Sequence, residues 1–429
     1  MERERTDGED ALYRKVTRRF LPFLMICYAV AYLDRINVGI AKLGMSHDLG
    51  LSEAVFGLGA GIFFIGYFLF EVPSNALLYR LGARVWIARI MVSWAIVSAG
   101  CALAQGPVSF YVARFLLGVT EAGFFPGIIL YLTYWYPSAR RGRIVAMFMT
   151  AIPIAGVVGT PISGFLMSGM DGLMGWAGWR WMLVAEALPA LLLGLCVPFV
   201  LDSRVVDAKW LSEDEKRRLA ERLAHDHRPD APAHAGLRDL VADPAVLRFA
   251  AIYFCCIMGQ YGITFWLPTL VSGVSDAPTW VIGLYASLPY AAAVVTMLLV
   301  SRSSDLRQER RWHLILPMVV GAAAIALAPL AHGSTGASIA ILCVAAAAIL
   351  TATPLFWNLP TTMLQGVSAA IGIAAINSVG NLAGFVSPMV VGWLNDRTGA
   401  TASGMWALAF VLVVGALLVV TARAPGRSA

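Results

Sequence analysis

The chain has 429 residues, 59% of them hydrophobic and only 14% charged, with a formal net charge of +6 and a mean hydropathy of +0.72. Soluble domains carry about a quarter charged residues, so this composition excludes an ordinary soluble protein and points to the membrane.

Apolar runs of about 20 residues, enough for a helix to cross roughly 30 Å of hydrocarbon, recur along the whole length. After a charged segment at 1–19, six runs lie at 20–41, 54–79, 84–104, 107–135, 143–168 and 180–201. A hydrophilic stretch follows at 202–246, then six more runs at 247–271, 279–301, 312–331, 337–363, 367–395 and 402–423, and a tail at 424–429. The reading is therefore of an N-terminal six-helix half over 20–201, a linker over 202–246 and a C-terminal six-helix half over 247–423. Arg14, Lys15, Arg18 and Arg19 precede the first run, but it is too long for a secretory signal. Cys27, Cys101, Cys196, Cys255, Cys256 and Cys343 all fall inside apolar runs. They read as small packing residues rather than a disulfide framework or a metal site.

Of the 32 Lys and Arg residues, 27 lie before the first run or in alternate loops that share its side, including nine in 202–248. The other side holds Lys42, Arg180 and Arg397. Cytoplasmic loops carry the positive excess, so the 1–19 segment, the linker and the tail are expected in the cytoplasm of a cell whose inner membrane holds the chain. This asymmetry accounts for the net charge, and no nucleic-acid partner is expected. Within the linker, Ser212 and Glu215 form a capping-box pattern ahead of a helix that places Leu219 and Leu223 on one face. The stretch RPDAPAHAG at 228–236 reads as a flexible break in a solvated tether.

The two halves resemble each other. Run five reads AGVVGTPISGFL from Ala155 and run eleven AGFVSPMVVGWL from Ala383, each the fifth run of its half. RSSDLRQERR from Arg302 occupies the place that YRLGAR from Tyr79 has in the first half. Parallel six-helix repeats are the plan of secondary transporters, with the substrate site between the halves.

Charges inside the apolar runs mark the chemistry. Asp34 and Arg35 are adjacent in run one, Asp34 about 14 residues or ~21 Å from its start. Run four, RFLLGVTEAGFFPG, places Arg114 and Glu121 two turns apart on one face, with Gly123 and Pro126 set to bend the helix after them. A mid-membrane charge costs about 2.5–3.5 kcal/mol to insert, so such residues normally face a wet cavity and find partners. The expectation is one chamber in which Asp34, Arg35, Arg114 and Glu121 meet. Glu71 and Glu186 read as nearer helix ends, and the second half offers no comparable acid.

These residues resemble a family. YLDRINVGIA, RFLLGVTEAGFFPG, WLP at Trp266 to Pro268 and NSVGNLAGF from Asn377 are similar to the anion:cation symporter family of the major facilitator superfamily, which includes bacterial tartrate, phthalate, hydroxyphenylacetate and sugar-acid permeases. The resemblance covers Tyr32 to Asp396 and implies an all-α membrane protein of twelve transmembrane helices in two pseudo-symmetric halves, the major facilitator fold. It implies proton-coupling roles for Asp34 and Glu121, a substrate-carboxylate contact for Arg35, a basic partner of the glutamate in Arg114, and cavity-lining roles for Tyr32, Tyr67, Trp357 and Asn377. Where sugar-acid carriers have a polar amide in run five, this chain has Ile152, which favours a smaller or aromatic carboxylate over a polyhydroxylated one.

Read from the residues alone, Gln260, Tyr261, Asn358 and Asn381 are polar groups the second half offers either to substrate or to helix contacts. Trp266, Phe356 and Trp357 offer stacking surfaces either to an aromatic substrate or to their neighbours. His47, His225, His227, His234, His313 and His332 fall in loops or near helix ends, away from any intramembrane relay. No metal-ligand cluster, nucleophile–base pattern or phosphate loop supports an enzyme, and no cofactor is expected. The expectation is a monomeric proton-coupled importer of a small organic carboxylate, its ligands an organic anion, protons and the bilayer. The alternatives are an exporter of drugs or metabolites on the same fold and a transport-inactive sensor.

Overall fold

The computed structural model describes residues 2–226, 243–331, 334–357, 359–360 and 366–421. The 228–236 break, the 424–429 tail, His227, His234, His332, Asn358 and the His225 side chain lie outside the described residues. Among those described, twelve helical segments are long and apolar enough to cross a membrane. In the first half α1 (Glu2–Leu49), α2 (Glu53–Leu81), α3 (Ala83–Gly100) and α8 (Gly178–Val200) each make one crossing. The fourth crossing is split into α4 (Pro107–Glu121) and α5 (Phe124–Thr133), and the fifth into α6 (Ser138–Met149) and α7 (Ala151–Gly169). The linker contributes α9 (Glu213–Asp226). The second half comprises α10 (Pro244–Ser272), α11 (Thr279–Arg307), α12 (Arg311–Leu327), α13 (Thr335–Trp357), α14 (Gly366–Thr398) and α15 (Thr401–Thr421). Twelve crossings put the start of α1 and the end of α15 at the same end of the bundle.

The first helix begins far ahead of its apolar run. Leu12, Tyr13, Val16 and Phe20 form a buried face along the charged segment, and helical spacing is what aligns them. Trp210 of the linker packs edge-on to Phe20 with centroids 5.4 Å apart and stacks on Trp135 at 5.8 Å. The Ser212 hydroxyl accepts from the Glu215 N–H at 3.2 Å while Glu215 accepts from the Ser212 N–H at 2.8 Å, the expected capping box. Lys15 Nζ reaches Glu215 at 2.8 Å and, with these bonds, holds its carboxyl below the ordinary glutamate range. That tie is complete above the ordinary range and is lost as pH falls below it; both groups are partly exposed, so it contributes little.

The halves meet most closely at the end opposite the termini. A Cβ on Gly57 of α2 would lie 2.2 Å from the Pro388 carbonyl oxygen of α14, and one on Gly392 of α14 would lie 2.2 Å from that of Glu53. Only glycine lets these two backbones touch. Beside this contact Asp396 of α14 caps α2, accepting from Ser52 Oγ at 2.7 Å and from the N–H groups of Glu53 at 3.0 Å and Ala54 at 2.8 Å. A carboxylate there satisfies orphan donors and meets the positive end of the helix dipole. Lys42 of α1, only 4% exposed, completes the clasp. Its ammonium bonds Glu53 at 2.7 Å and Thr269 of α10 at 3.2 Å, and lies 3.9 Å from the centre of the Trp266 ring. Trp266 thus serves the closure of this end, one of the two uses its sequence position left open.

Candidate functional site

Consecutive residues on a helix point about 100° apart. Asp34 and Arg35 therefore enter different surroundings, and the single chamber expected from the sequence resolves into two compartments.

Arg35 faces the seam between the halves. Its Nε and Nη2 donate to Glu121 Oε1 at 3.0 and 2.5 Å, and its Nη1 donates to the hydroxyl of Tyr261 on α10 at 3.2 Å. The rings of Tyr32, Phe63 and Tyr67 lie 5.9, 5.3 and 5.5 Å from the guanidinium carbon. Glu121 is fully buried as the last residue of α4. The helix breaks directly after it because Gly123 takes φ +86°, and a Cβ there would meet Ser74 Oγ at 2.4 Å. The bend foreseen from Gly123 and Pro126 thus delivers the carboxylate to the seam.

Arg114 does not pair with Glu121 as expected. Arg35 takes the carboxylate, while Arg114 reaches the Ala60 carbonyl at a long 3.4 Å and keeps a buried Nε without a partner. Its guanidinium lies 5.0 Å from the Phe63 ring, so both arginines contact that ring. Glu121 Oε2 is likewise buried and unpartnered. A guanidinium has five N–H donors. Arg35 uses three, leaving two donors beside an orphan carboxylate oxygen in a setting where unmet polar atoms are costly.

Asp34 lies in the interior of the first half. Its carboxylate accepts from Ser98 at 2.6 Å, from Asn37 at 3.3 Å and from the Trp94 indole. Asn37 also donates to Glu186 at 2.9 Å, and Ser163 contacts Glu186 at 2.6 Å. Glu186, read from the sequence as near a helix end, is 4% exposed and joined to Asp34 through Asn37. The sequence signal reached only as far as Asn37, three residues after Asp34 on the same helix face, where such pairs meet.

The second half supplies neutral polar groups and rings. Gln260 donates to the Tyr32 hydroxyl at 2.7 Å across the seam and accepts from Thr353 at 2.7 Å. Trp357 packs on Tyr253 at 4.8 Å and on Phe356 at 5.3 Å. Asn377 is half-buried on α14, one turn before Asn381, which reaches Glu71 at 3.5 Å. In the first half Tyr28 stacks on Phe148 at 4.4 Å and packs against Phe125 at 5.5 Å, beside Tyr32. Ile152 is partly buried against the core. Among the described residues no three His, Cys, Asp or Glu side chains are placed to hold a metal ion. An open groove of about 780 Å³ between α3 and α4 is lined by Ile96, Leu103, Val108 and Val112. It carries no charged side chain and faces outward where lipid would lie, so it is not the site.

Residues 24–388 match the Major Facilitator Superfamily profile. The chain belongs to that superfamily. It is a multi-pass membrane transporter and not an enzyme, as the resemblance in its motifs implied. A protein of Agrobacterium vitis whose name proposes tartrate transport is 46% identical, the match covering 98% of this chain and 97% of that one. A quinolone resistance transporter of Acinetobacter baumannii is 43% identical over 96% of this chain and 95% of its own. The inward-open xylose transporter XylE of E. coli shares the fold with a TM-score of 0.74 at 15% identity, over 95% of this chain and 97% of that one. In this superfamily member the Arg35–Glu121 pair joins α1 to α4 within the first half, and Arg35 reaches α10 of the other half through Tyr261.

Proposed function

We propose that this transporter imports a small organic carboxylate together with protons, by rocking one half against the other around the Arg35–Glu121 site. The observation that carries the reading is a buried guanidinium with donors to spare, paired to a carboxylate that still has an unmet oxygen. The substrate carboxylate takes the free donors of Arg35, and Glu121 Oε2, once it carries a proton, has a hydrogen to offer the substrate. Two carboxylates then share one guanidinium away from water. A proton on Glu121 removes the repulsion, so anion and proton favour each other by the same free energy. Asp34 is the second proton-coupling residue, and Arg114 supplies positive charge behind Phe63. Tyr32, Tyr67, Gln260, Tyr261, Trp357 and Asn377 line the path and select a hydroxy or aromatic acid. The name of the Agrobacterium relative supports a hydroxy acid; the rings around Arg35 support an aromatic one.

The loaded and nearly neutral site closes at one end and opens at the other, as expected for a parallel repeat. The protein acts as a monomer in the inner membrane, with both termini and the linker in the cytoplasm, following the Lys and Arg distribution. One proton per monoanion moves no charge; a second draws on the membrane potential, about 2.3 kcal/mol per charge per 100 mV.

The test is a Glu121→Gln variant in proteoliposomes with labelled tartrate and, in parallel, labelled benzoate. Exchange of internal for external label is expected to persist while accumulation driven by an inward proton gradient is lost. Full accumulation by the variant would refute the role of Glu121. The A. baumannii relative favours a second reading, export of an aromatic compound. Raised quinolone tolerance of expressing cells, with no carboxylate uptake by vesicles, would establish it. Binding without flux in either direction would mark a sensor.

A further inference from the structure

The cluster inside the first half permits a count of hydrogens. Ser163 Oγ carries one hydrogen but faces two acceptors, the Gly159 carbonyl oxygen at 3.0 Å and Glu186 Oε1 at 2.6 Å. A helical serine can bond the carbonyl four residues back, and Ser163 stands at hydrogen-bond distance to do so, which uses its one hydrogen. The short contact to Glu186 then needs a hydrogen from Glu186 itself. Both hydrogens of the Asn37 amide are already used, one on Asp34 at 3.3 Å and one on Glu186 Oε2 at 2.9 Å. Asp34 receives three donors, from Ser98, Trp94 and Asn37, as an ionised carboxylate should. Among the described residues neither carboxyl has a salt bridge, and both are at least nine-tenths buried, Asp34 at 5% and Glu186 at 4% exposure. The charge of Arg114 reaches Asp34 without a hydrogen bond to it, and two ionised carboxyls bridged by one neutral amide would outnumber that one cation in a place where unpaired charge is costly.

We propose that Glu186 holds a proton on Oε1 and donates it to Ser163, so that Asp34 and Glu186 form one proton-holding pair inside the first half, separate from Arg35–Glu121. Glu186 is a positioning residue. While it stays neutral the pair carries a single charge, and Asp34 can ionise and reload during the cycle. If the Glu186 proton leaves for solvent, Ser163 turns its hydrogen to the new carboxylate and Asn37 is left between two anions, which favours reprotonation of Asp34. The presence of the proton is independent of the symport reading; its part in the cycle rests on that reading.

Glu186→Gln keeps the geometry, because the amide nitrogen donates to Ser163 and the amide oxygen accepts from Asn37. Infrared difference spectra of the purified full chain in lipid nanodiscs, at neutral pH, report the carbonyl stretch of a protonated carboxylic acid. The wild type is expected to show such a band that Glu186→Gln lacks and Asp34→Asn retains. A band that survives in Glu186→Gln, or that only Asp34→Asn removes, overturns the assignment. In proteoliposomes Glu186→Gln is expected to shift the proton concentration for half-maximal tartrate accumulation by about tenfold, the scale on which interacting carboxyls couple. An unshifted profile alongside normal wild-type accumulation overturns the part assigned in the cycle. Absence of proton-driven accumulation in the wild type would instead refute the symport reading and leave the infrared result to stand or fall alone.

Discussion

Replacing Arg35 by Ala is expected to abolish carboxylate binding and uptake, and to destabilise the first half by about 3–5 kcal/mol, the usual cost of stranding one member of a buried ion pair. The loss has two separable origins. Glu121 is left fully buried without its cation, and the three rings that pack around the guanidinium lose their centre. Adding Glu121→Gln removes the stranded charge, so the double variant is expected to recover most of its melting temperature and none of its transport. Arg35→Lys retains a charge but not the planar fork, and the three donors of an ammonium equal only those that Glu121 and Tyr261 already take, leaving none for a substrate carboxylate. Melting curves in detergent and tartrate counterflow together check all three variants. Wild-type uptake by Arg35→Ala would place the anion site elsewhere.

The second large effect is expected at the far end of the bundle. Gly57→Val puts side-chain atoms where a Cβ alone would stand 2.2 Å from the Pro388 carbonyl oxygen. Neither helix backbone can yield without parting α2 from α14. Overpacking of this kind costs about 1–3 kcal/mol. Charged to the closed arrangement alone, that is roughly a 5- to 150-fold shift of the equilibrium towards opening. Spin labels at Gln105→Cys and Asp276→Cys, both exposed and on opposite halves at that end, are expected to move apart in the variant. Turnover should fall while protein yield and monomer elution stay near those of the wild type. Unchanged label distances would show that this glycine contact is not what closes the far end.

Much of this was legible in the sequence. Twelve crossings follow from run length and composition, because lipid admits only helices and closed barrels and apolar runs of about 20 residues fit the helix. The seam contacts were partly visible: the Ala-Gly pattern at Ala383 belongs to the face of α14 that meets α2, where Gly384 packs on Phe64. Asp34, Arg35, Arg114 and Glu121 stood out because charges in apolar runs are rare. What the sequence withheld was their pairing. Spacing within α4 put Arg114 and Glu121 on one face and the resemblance implied that they pair, but the break after Glu121 turns the carboxylate to α1, a consequence of backbone conformation rather than period. Glu186 was passed over for a related reason. Its partners Asn37 and Ser163 lie on other helices, and the arrangement of helices around a half is not written in any one run. Lys42 looked like a loop residue and is instead buried at the closure, because Glu53 of α2 and Thr269 and Trp266 of α10 come from two further helices.

The central claim is that a substrate carboxylate at Arg35 and a proton at Glu121 arrive together. The most direct measurement is proton uptake on binding. Purified transporter in weakly buffered detergent is mixed with a saturating carboxylate, tartrate or benzoate, while a pH indicator is followed. About one proton is expected to be taken up per anion bound, and the Glu121→Gln variant should bind the anion with no such uptake. Binding by the wild type without proton uptake, or undiminished uptake by Glu121→Gln, would contradict the account.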